Sequence, residues 1–161
     1  MVVPQIGTGS AGDGLHQVRV DTVFGDRDGP VGAAFFSSMS APTIGHTPFV
    51  VLARPNLPVV PMTLFVPNST IGSDRHARLT RGAAHAGVAA GVLASRMEDP
   101  DGETCIVASV WVDPDVSDAD RVYRAARDAT MLSLKMGAAG GPWRGHLLEV
   151  GTPENDDFRR D

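Results

Sequence analysis

The chain has one cysteine, one tyrosine, an aromatic share of only 6% and no surplus of basic residues. Each shortage excludes something. Cys105 stands alone within "TCIVASVWV", so no intrachain disulfide framework and no cysteine metal site is available, and it reads as a small buried hydrophobe. A net charge of −5, from 14 Lys and Arg against 19 Asp and Glu, argues against a nucleic-acid partner, which would require a basic face. No apolar run approaches the length of a membrane span. The opening "MVVPQIGTGSAGDG" lacks the charged and apolar regions of an export leader. The expectation is a soluble, cytoplasmic protein with no membrane partner.

What is present fits one ordinary globular domain. Its 161 residues, 42% apolar and 20% charged, suffice for one core rich in Val, Ala and Leu but not comfortably for two. The reading is a single domain over 1–161, with residues 1–11 as a flexible N-terminus and 151–161 as a polar tail. "HQVRVDTVF" alternates with a period of two, which puts Val18, Val20, Thr22 and Phe24 on one face and Arg19, Asp21 and Val23 on the other. "GPVGAAFFSSMS" reads as a short helix, "PFVVLARPN" as a strand halted by Pro55, and "MTLFVP" as another strand.

A long helix is expected from Ser73 and Asp74 through "DRHARLTRGAAHAGVAAGVLASRM", its small residues implying close packing against a sheet or a neighbouring subunit. "ETCIVASVWV" is a strand buried on both faces. "SDADRVYRAARDATMLSLKMG" is a second long helix, capped by Ser117 with Asp120, whose buried stripe runs Val122, Ala125, Ala129, Leu132, Met136. "GHLLEV", residues 145–150, is a candidate last strand. This order predicts an α/β (α+β) fold, a two-layer sandwich with a mixed β-sheet and helices on one side.

Three motifs imitate chemistry. "GTGSAG" matches a dinucleotide fingerprint but precedes a strand instead of opening a helix. "DPDVSDADRVYR" starts like a calcium loop, yet it lacks the glycine at its sixth position and has Arg124 where the bidentate glutamate belongs. The histidines at 16, 46, 76, 85 and 146 show no paired ligand spacing, so no metal is expected. Asp74, Arg78, Arg81 and His85 fall on one helical stripe, which on pattern alone is a solvated face.

"GDG", "VDTVFG", "PNLPVVPMTL", "DR" and "HAGVAAGV" resemble, in order and spacing, the G-D-G, A-H-I-D-L-I-I-G, A-P-N-L-P-C-K-P-N-T-L and Q-H-G-V-A-M-A-V of the formaldehyde-activating enzyme family. The match runs without a gap from Gly12 to about Val92, and "DATMLSL" resembles the later E-A-T-K-L-S-I. The resemblance implies a ribosomal-protein-S5 domain-2-like fold and a homopentamer with its ligand cleft between adjacent subunits. It also implies metal-free condensation of formaldehyde with tetrahydromethanopterin, or another reduced pterin, as co-substrate. The proline-rich stretch would then form a rigid cleft wall.

Carried over by position, the family's site is altered. The family histidine that serves as proton donor is replaced by Arg19, while the aspartate after it is kept as Asp21. A ligand-lining leucine becomes Val50, a lysine becomes Asn68, the threonine is kept as Thr70, and a glutamine becomes His85 beside Ala86. Arginine stays charged and cannot act as an ordinary general acid, but it can clamp a carboxylate or phosphate. His85 is therefore the candidate replacement acid, with Asp21 orienting the amine and Val50, Asn68 and Thr70 lining the ligand. Arg19 also admits a plainer reading, an ion pair with Asp21 along the strand. Two other functions stay open: a catalytically silent homologue that binds a small, possibly anionic ligand between subunits, and a structural oligomer with a vestigial cleft.

Overall fold

The alternation read from "HQVRVDTVF" becomes strand β2 (Val18–Asp26), with Val18, Val20 and Thr22 fully buried. The structure is a computed structural model describing residues 2–140, 148–155 and 157–159. Residues 5–11 are no flexible lead-in: they form β1 (Gln5–Ala11), paired antiparallel with β2 along its length. The glycines of "GTGSAG" explain why. A Cβ at Gly7 would come within 1.8 Å of the Ser133 carbonyl oxygen, and one at Gly9 within 2.1 Å of that of Ala129. They let the strand approach helix α4 (Ala119–Ala138).

Between these elements run α1 (Pro30–Ser40), β3 (Phe49–Val50), β4 (Leu52–Arg54), β5 (Leu57–Pro58) and β6 (Met62–Pro67). Then come α2 (Asp74–Arg78), a π-helical stretch over Leu79–Ala84, α3 (His85–Ala94) and β7 (Thr104–Val112). The main sheet has the order β1-β2-β7-β6-β3, with β6 and β7 parallel and the other pairs antiparallel. The molecule is thus a mixed α/β sandwich. The strand expected from "PFVVLARPN" up to Pro55 breaks at Val51, and β4 pairs with β5 in a separate two-stranded ribbon. Pro55 and Asn56 make its turn, Asn56 holding φ +65°, the left-handed position a type II turn requires and asparagine tolerates.

The helix layer of α3 and α4 covers one face of the sheet, over Val18, Val20, Phe65, Ile106, Ala108 and Val110. Thr22 and Ser133 hydrogen-bond across this layer at 2.8 Å. The small residues of α3 pack on α4, since a Cβ at Gly87 would meet the Tyr123 carbonyl and one at Gly91 would meet Thr130. In α4 the buried stripe is Val122, Ala125, Ala126, Ala129, Thr130, Ser133, Leu134 and Gly137, so Leu132 and Met136 face outward. The expected stripe followed a seven-residue repeat, which drifts off a straight helix after two turns. The cap is Asp118, whose side chain accepts the Arg121 amide at 3.0 Å, and not Ser117. Ser117 turns its hydroxyl to His16 at 3.4 Å.

α1 lies on the opposite sheet face, where Val31 and Phe35 pack with Leu64 and Cys105. Burial pushes the Cys105 thiol pKa up, which keeps it protonated. Residues 145–147 of the candidate last strand lie outside the described residues, and 148–150 form no strand. No described helix is long and apolar enough to cross a membrane.

Candidate functional site

Alternation along β2 turns Arg19 and Asp21 toward the sheet face away from α3 and α4. Strand register extends that face sideways. Arg19 sits opposite Ser10 on β1 and Trp111 on β7; Asp21 sits opposite Thr8 and Ser109; Ser109 in turn lies beside Val66 on β6. Asn68 follows Pro67, and its amide donates to the Val110 carbonyl at 2.8 Å, which brings it into the row of Trp111. One row below, Val23, Val107, Leu64 and Val50 continue across the sheet. The cluster under α1 takes in this lower row, whereas Arg19, Asp21 and Asn68 lie beyond it.

Arg19 is held from two sides. Its guanidinium carbon is 4.8 Å from the Trp111 ring centroid, a cation–π distance, and its Nη1 is 3.4 Å from Asp157 Oδ2 in the C-terminal tail. Among the described residues the ion-pair partner of Arg19 is therefore Asp157, not Asp21 as the plainer reading had it. Thr70 lies past the end of β6, where its Oγ1 is 2.9 Å from His46 Nε2. The other ring nitrogen of His46, Nδ1, is 2.9 Å from the Pro67 carbonyl.

His85 lies elsewhere. It stands at the start of α3, with its ring edge-on to Phe49 at 5.1 Å and near Phe65, and both phenylalanines belong to the helix-side core. Its Nε2 accepts the Leu52 amide at 2.8 Å and its Nδ1–H donates to the Arg81 carbonyl at 3.1 Å. Both nitrogens are thus committed in the neutral form. Burial lowers the pKa of His85, only partly offset by the Arg81 carbonyl, which favours the protonated ring. Within one chain the sheet separates His85 from Arg19 and Asp21, and its contacts tie α3 to the proline-rich ribbon. The expected stripe of Asp74, Arg78, Arg81 and His85 is interrupted as well, because the π-helical stretch over Leu79–Ala84 shifts the helical phase.

Of the residues that the sequence reading assigned to one cleft, the structure places Arg19, Asp21, Asn68 and Val50 on one sheet face, Thr70 past the end of β6, and His85 across the sheet. It missed Trp111 and His46. Trp111 becomes a neighbour of Arg19 only through the pairing of β2 with β7, and His46 is 24 residues from Thr70, so no local spacing marks either. Among the described residues no group of three His, Cys, Asp or Glu is arranged to hold a metal ion.

Comparison with known proteins identifies the family. The family model described as formaldehyde-activating enzyme (Fae) matches residues 6–158. A bifunctional enzyme Fae/Hps of Methanosarcina barkeri is 39% identical over 150 residues, covering 90% of this chain and 38% of that protein. Proteins of the same description from Methanosarcina acetivorans and Methanococcoides burtonii are 36% identical over 150 residues and 37% over 142. They cover 90% and 85% of this chain, and 38% and 36% of themselves, so the chain spans under two-fifths of the length of these curated relatives. With a matching model over nearly its whole length and relatives at this level of identity, the chain belongs to the formaldehyde-activating enzyme family.

Proposed function

We propose that this protein condenses formaldehyde, or another small aldehyde, with an amine-bearing co-substrate and releases water. That makes it a lyase of one-carbon chemistry. The observation that carries the reading is the family match over residues 6–158. The co-substrate is tetrahydromethanopterin or another reduced pterin, which supplies two amine nitrogens. The ligand lies on the sheet face of Arg19, Asp21, Val50 and Asn68, with Thr70 at its end. Asp21 is exposed there and accepts an amine N–H, orienting the lone pair toward the aldehyde carbon. Asn68 and Thr70 offer uncharged hydrogen bonds, and Arg19 a fixed positive charge.

Among the described residues this part of the face is uncovered, so a second copy laid over it would make it a cleft. The chain accordingly works as a homo-oligomer, a pentamer on the family pattern, in the cytoplasm. Exposed apolar side chains near this side of the molecule, Ile6 on β1 and Phe36 and Met39 on α1, are candidates for that contact. His85 joins the site only where a neighbouring subunit presents it. Sedimentation at micromolar concentration is the direct check, and a monomer there would leave the cleft without its second wall.

The deciding experiment is formaldehyde consumption with tetrahydromethanopterin and with tetrahydrofolate, each measured against the spontaneous condensation. Acceleration with either supports the enzyme. A second reading, a silent homologue that holds a small anionic ligand, is favoured by one feature: Arg19 stands where the family places its proton donor and cannot act as an ordinary acid. No acceleration with either co-substrate, together with stabilisation by an anion, would select it.

A further inference from the structure

We infer that His46 holds the proton for this reaction and delivers it through Thr70, an inference that rests on the condensation proposed above. The dehydration step requires an acid: the carbinolamine hydroxyl leaves as water only when it gains a proton. Arg19 cannot give one. The question is which described imidazole can carry a second proton, and its hydrogen-bond partners answer it.

A neutral imidazole has one donor and one acceptor nitrogen, whereas the cation has two donors. Protonation is therefore opposed wherever a ring nitrogen already faces an N–H. His85 Nε2 faces the Leu52 amide at 2.8 Å, and His16 Nε2 faces the Asp118 amide at 3.2 Å. Both must lose a hydrogen bond to gain a proton. His76 is fully buried, with Nε2 3.0 Å from the Val112 carbonyl and Nδ1 without a hydrogen-bond partner, so an added charge there would be both desolvated and unmatched. His46 differs. Its two neighbours, the Pro67 carbonyl and the Thr70 hydroxyl, can both accept, and the ring is only half-buried. The same two contacts serve the neutral ring, because the hydroxyl can reverse and donate.

The loop that carries His46 is fixed in place. Gly45 has φ +77°, a glycine position, and its carbonyl accepts the Ile71 amide at 3.1 Å. A Cβ at Gly45 would come within 2.8 Å of Thr70 Cγ2. The His46 amide donates to the Thr43 carbonyl at 2.9 Å. Loop and Thr70 are thus locked together, with the exposed Thr70 two residues beyond Asn68, which lies beside Trp111. The ring touches the site through Thr70, which makes His46 a positioning and relay residue.

The step balances. His46 Nε2–H passes to Thr70 Oγ1 as the threonine hydroxyl proton passes to the carbinolamine oxygen. The C–O bond breaks with its electron pair leaving on water, and the amine lone pair forms the C=N bond of an iminium. The second amine then attacks that carbon, and the proton it sheds returns along the same path to His46. No oxidant, reductant or metal enters.

The test uses the full chain and a co-substrate that the wild type accelerates. His46→Gln keeps a side chain able to hydrogen-bond but unable to hold the proton. It should lower kcat by about 10²-fold, the scale of general-acid catalysis, while KM changes little. Thr70→Val should lower kcat comparably, and the double variant should lose no more than either single one. In His46→Ala, added imidazole should restore part of the rate, and it should fail to do so once Thr70→Val is also present. An unchanged kcat in His46→Gln, with the wild type active, overturns the relay alone. So does a rate loss that only tracks a fallen melting temperature and that imidazole does not rescue. A wild type that accelerates nothing overturns the relay together with the condensation itself.

Discussion

The Leu52 amide donates to His85 Nε2 at 2.8 Å, and this bond fixes the imidazole in its neutral form. Burial lowers the pKa of His85 from the ordinary 6.5. The unfolded chain then takes up a proton on this residue at a higher pH than the folded one does. Stability from this site is fully present above about 6.5 and is lost as pH falls toward the depressed folded value. His85→Gln, whose amide oxygen can still accept from Leu52, should lose less stability than the wild type between pH 7 and 5. Urea midpoints across that range check this, and parallel slopes for the two proteins would refute it.

Gly9 on β1 faces the backbone of α4. A methyl group there would lie 2.1 Å from the Ala129 carbonyl oxygen and 2.8 Å from the Ser133 nitrogen, and both are backbone atoms that cannot swing aside. Gly9→Ala should destabilise the fold by roughly 3 kcal/mol or more, the upper range for overpacking. Gly14, with no atom within 4 Å of its added Cβ but φ +54°, is the control that separates crowding from backbone strain. Gly14→Ala should be distinctly milder in the same denaturation experiment.

Thr22 and Ser133 meet as two buried hydroxyls at 2.8 Å, joining β2 to α4. Thr22→Val removes one partner and strands the other, which should destabilise by about 1–3 kcal/mol. The double variant Thr22→Val with Ser133→Ala replaces both with apolar groups and should recover part of that loss. A double-mutant cycle measures the coupling, and additive single effects would show that the pair contributes nothing as a pair.

The elements legible in the sequence are those whose signal is local. The alternation around Val18 to Phe24, the proline opening α1 and the cap at the start of α2 each announce themselves within a few residues. β1 was illegible because its glycines look like a loop until α4 is laid across them. The site followed the same rule. Arg19 and Asp21 share a face by strand alternation alone, whereas Trp111 comes beside Arg19, and His46 beside Thr70, only through pairings distant in the chain. His85 shows what a motif leaves out. Within one chain it lies across the sheet from Asp21, because a helix residue's side of the sheet is set by packing, which no motif records.

The Arg19–Asp157 contact leads to the last prediction. At 3.4 Å, with side chains 39% and 76% exposed, the pair should contribute little to stability, under about 0.5 kcal/mol for so exposed an ion pair. Asp157→Asn should therefore leave the melting temperature nearly unchanged. Its effect on binding should be larger in proportion, because Asp157 supplies Arg19 with the kind of carboxylate that an anionic ligand would bring. Glyoxylate, an aldehyde bearing a carboxylate, is a suitable probe. Titration followed by NMR should show tighter binding in Asp157→Asn than in the wild type, and weaker binding in Arg19→Ala. Trp111→Ala should also weaken it, since the guanidinium loses the ring that holds it flat. Equal affinity in all four proteins would mean that the charge at position 19 is not a ligand contact, and the search for what this face binds would turn to neutral amines.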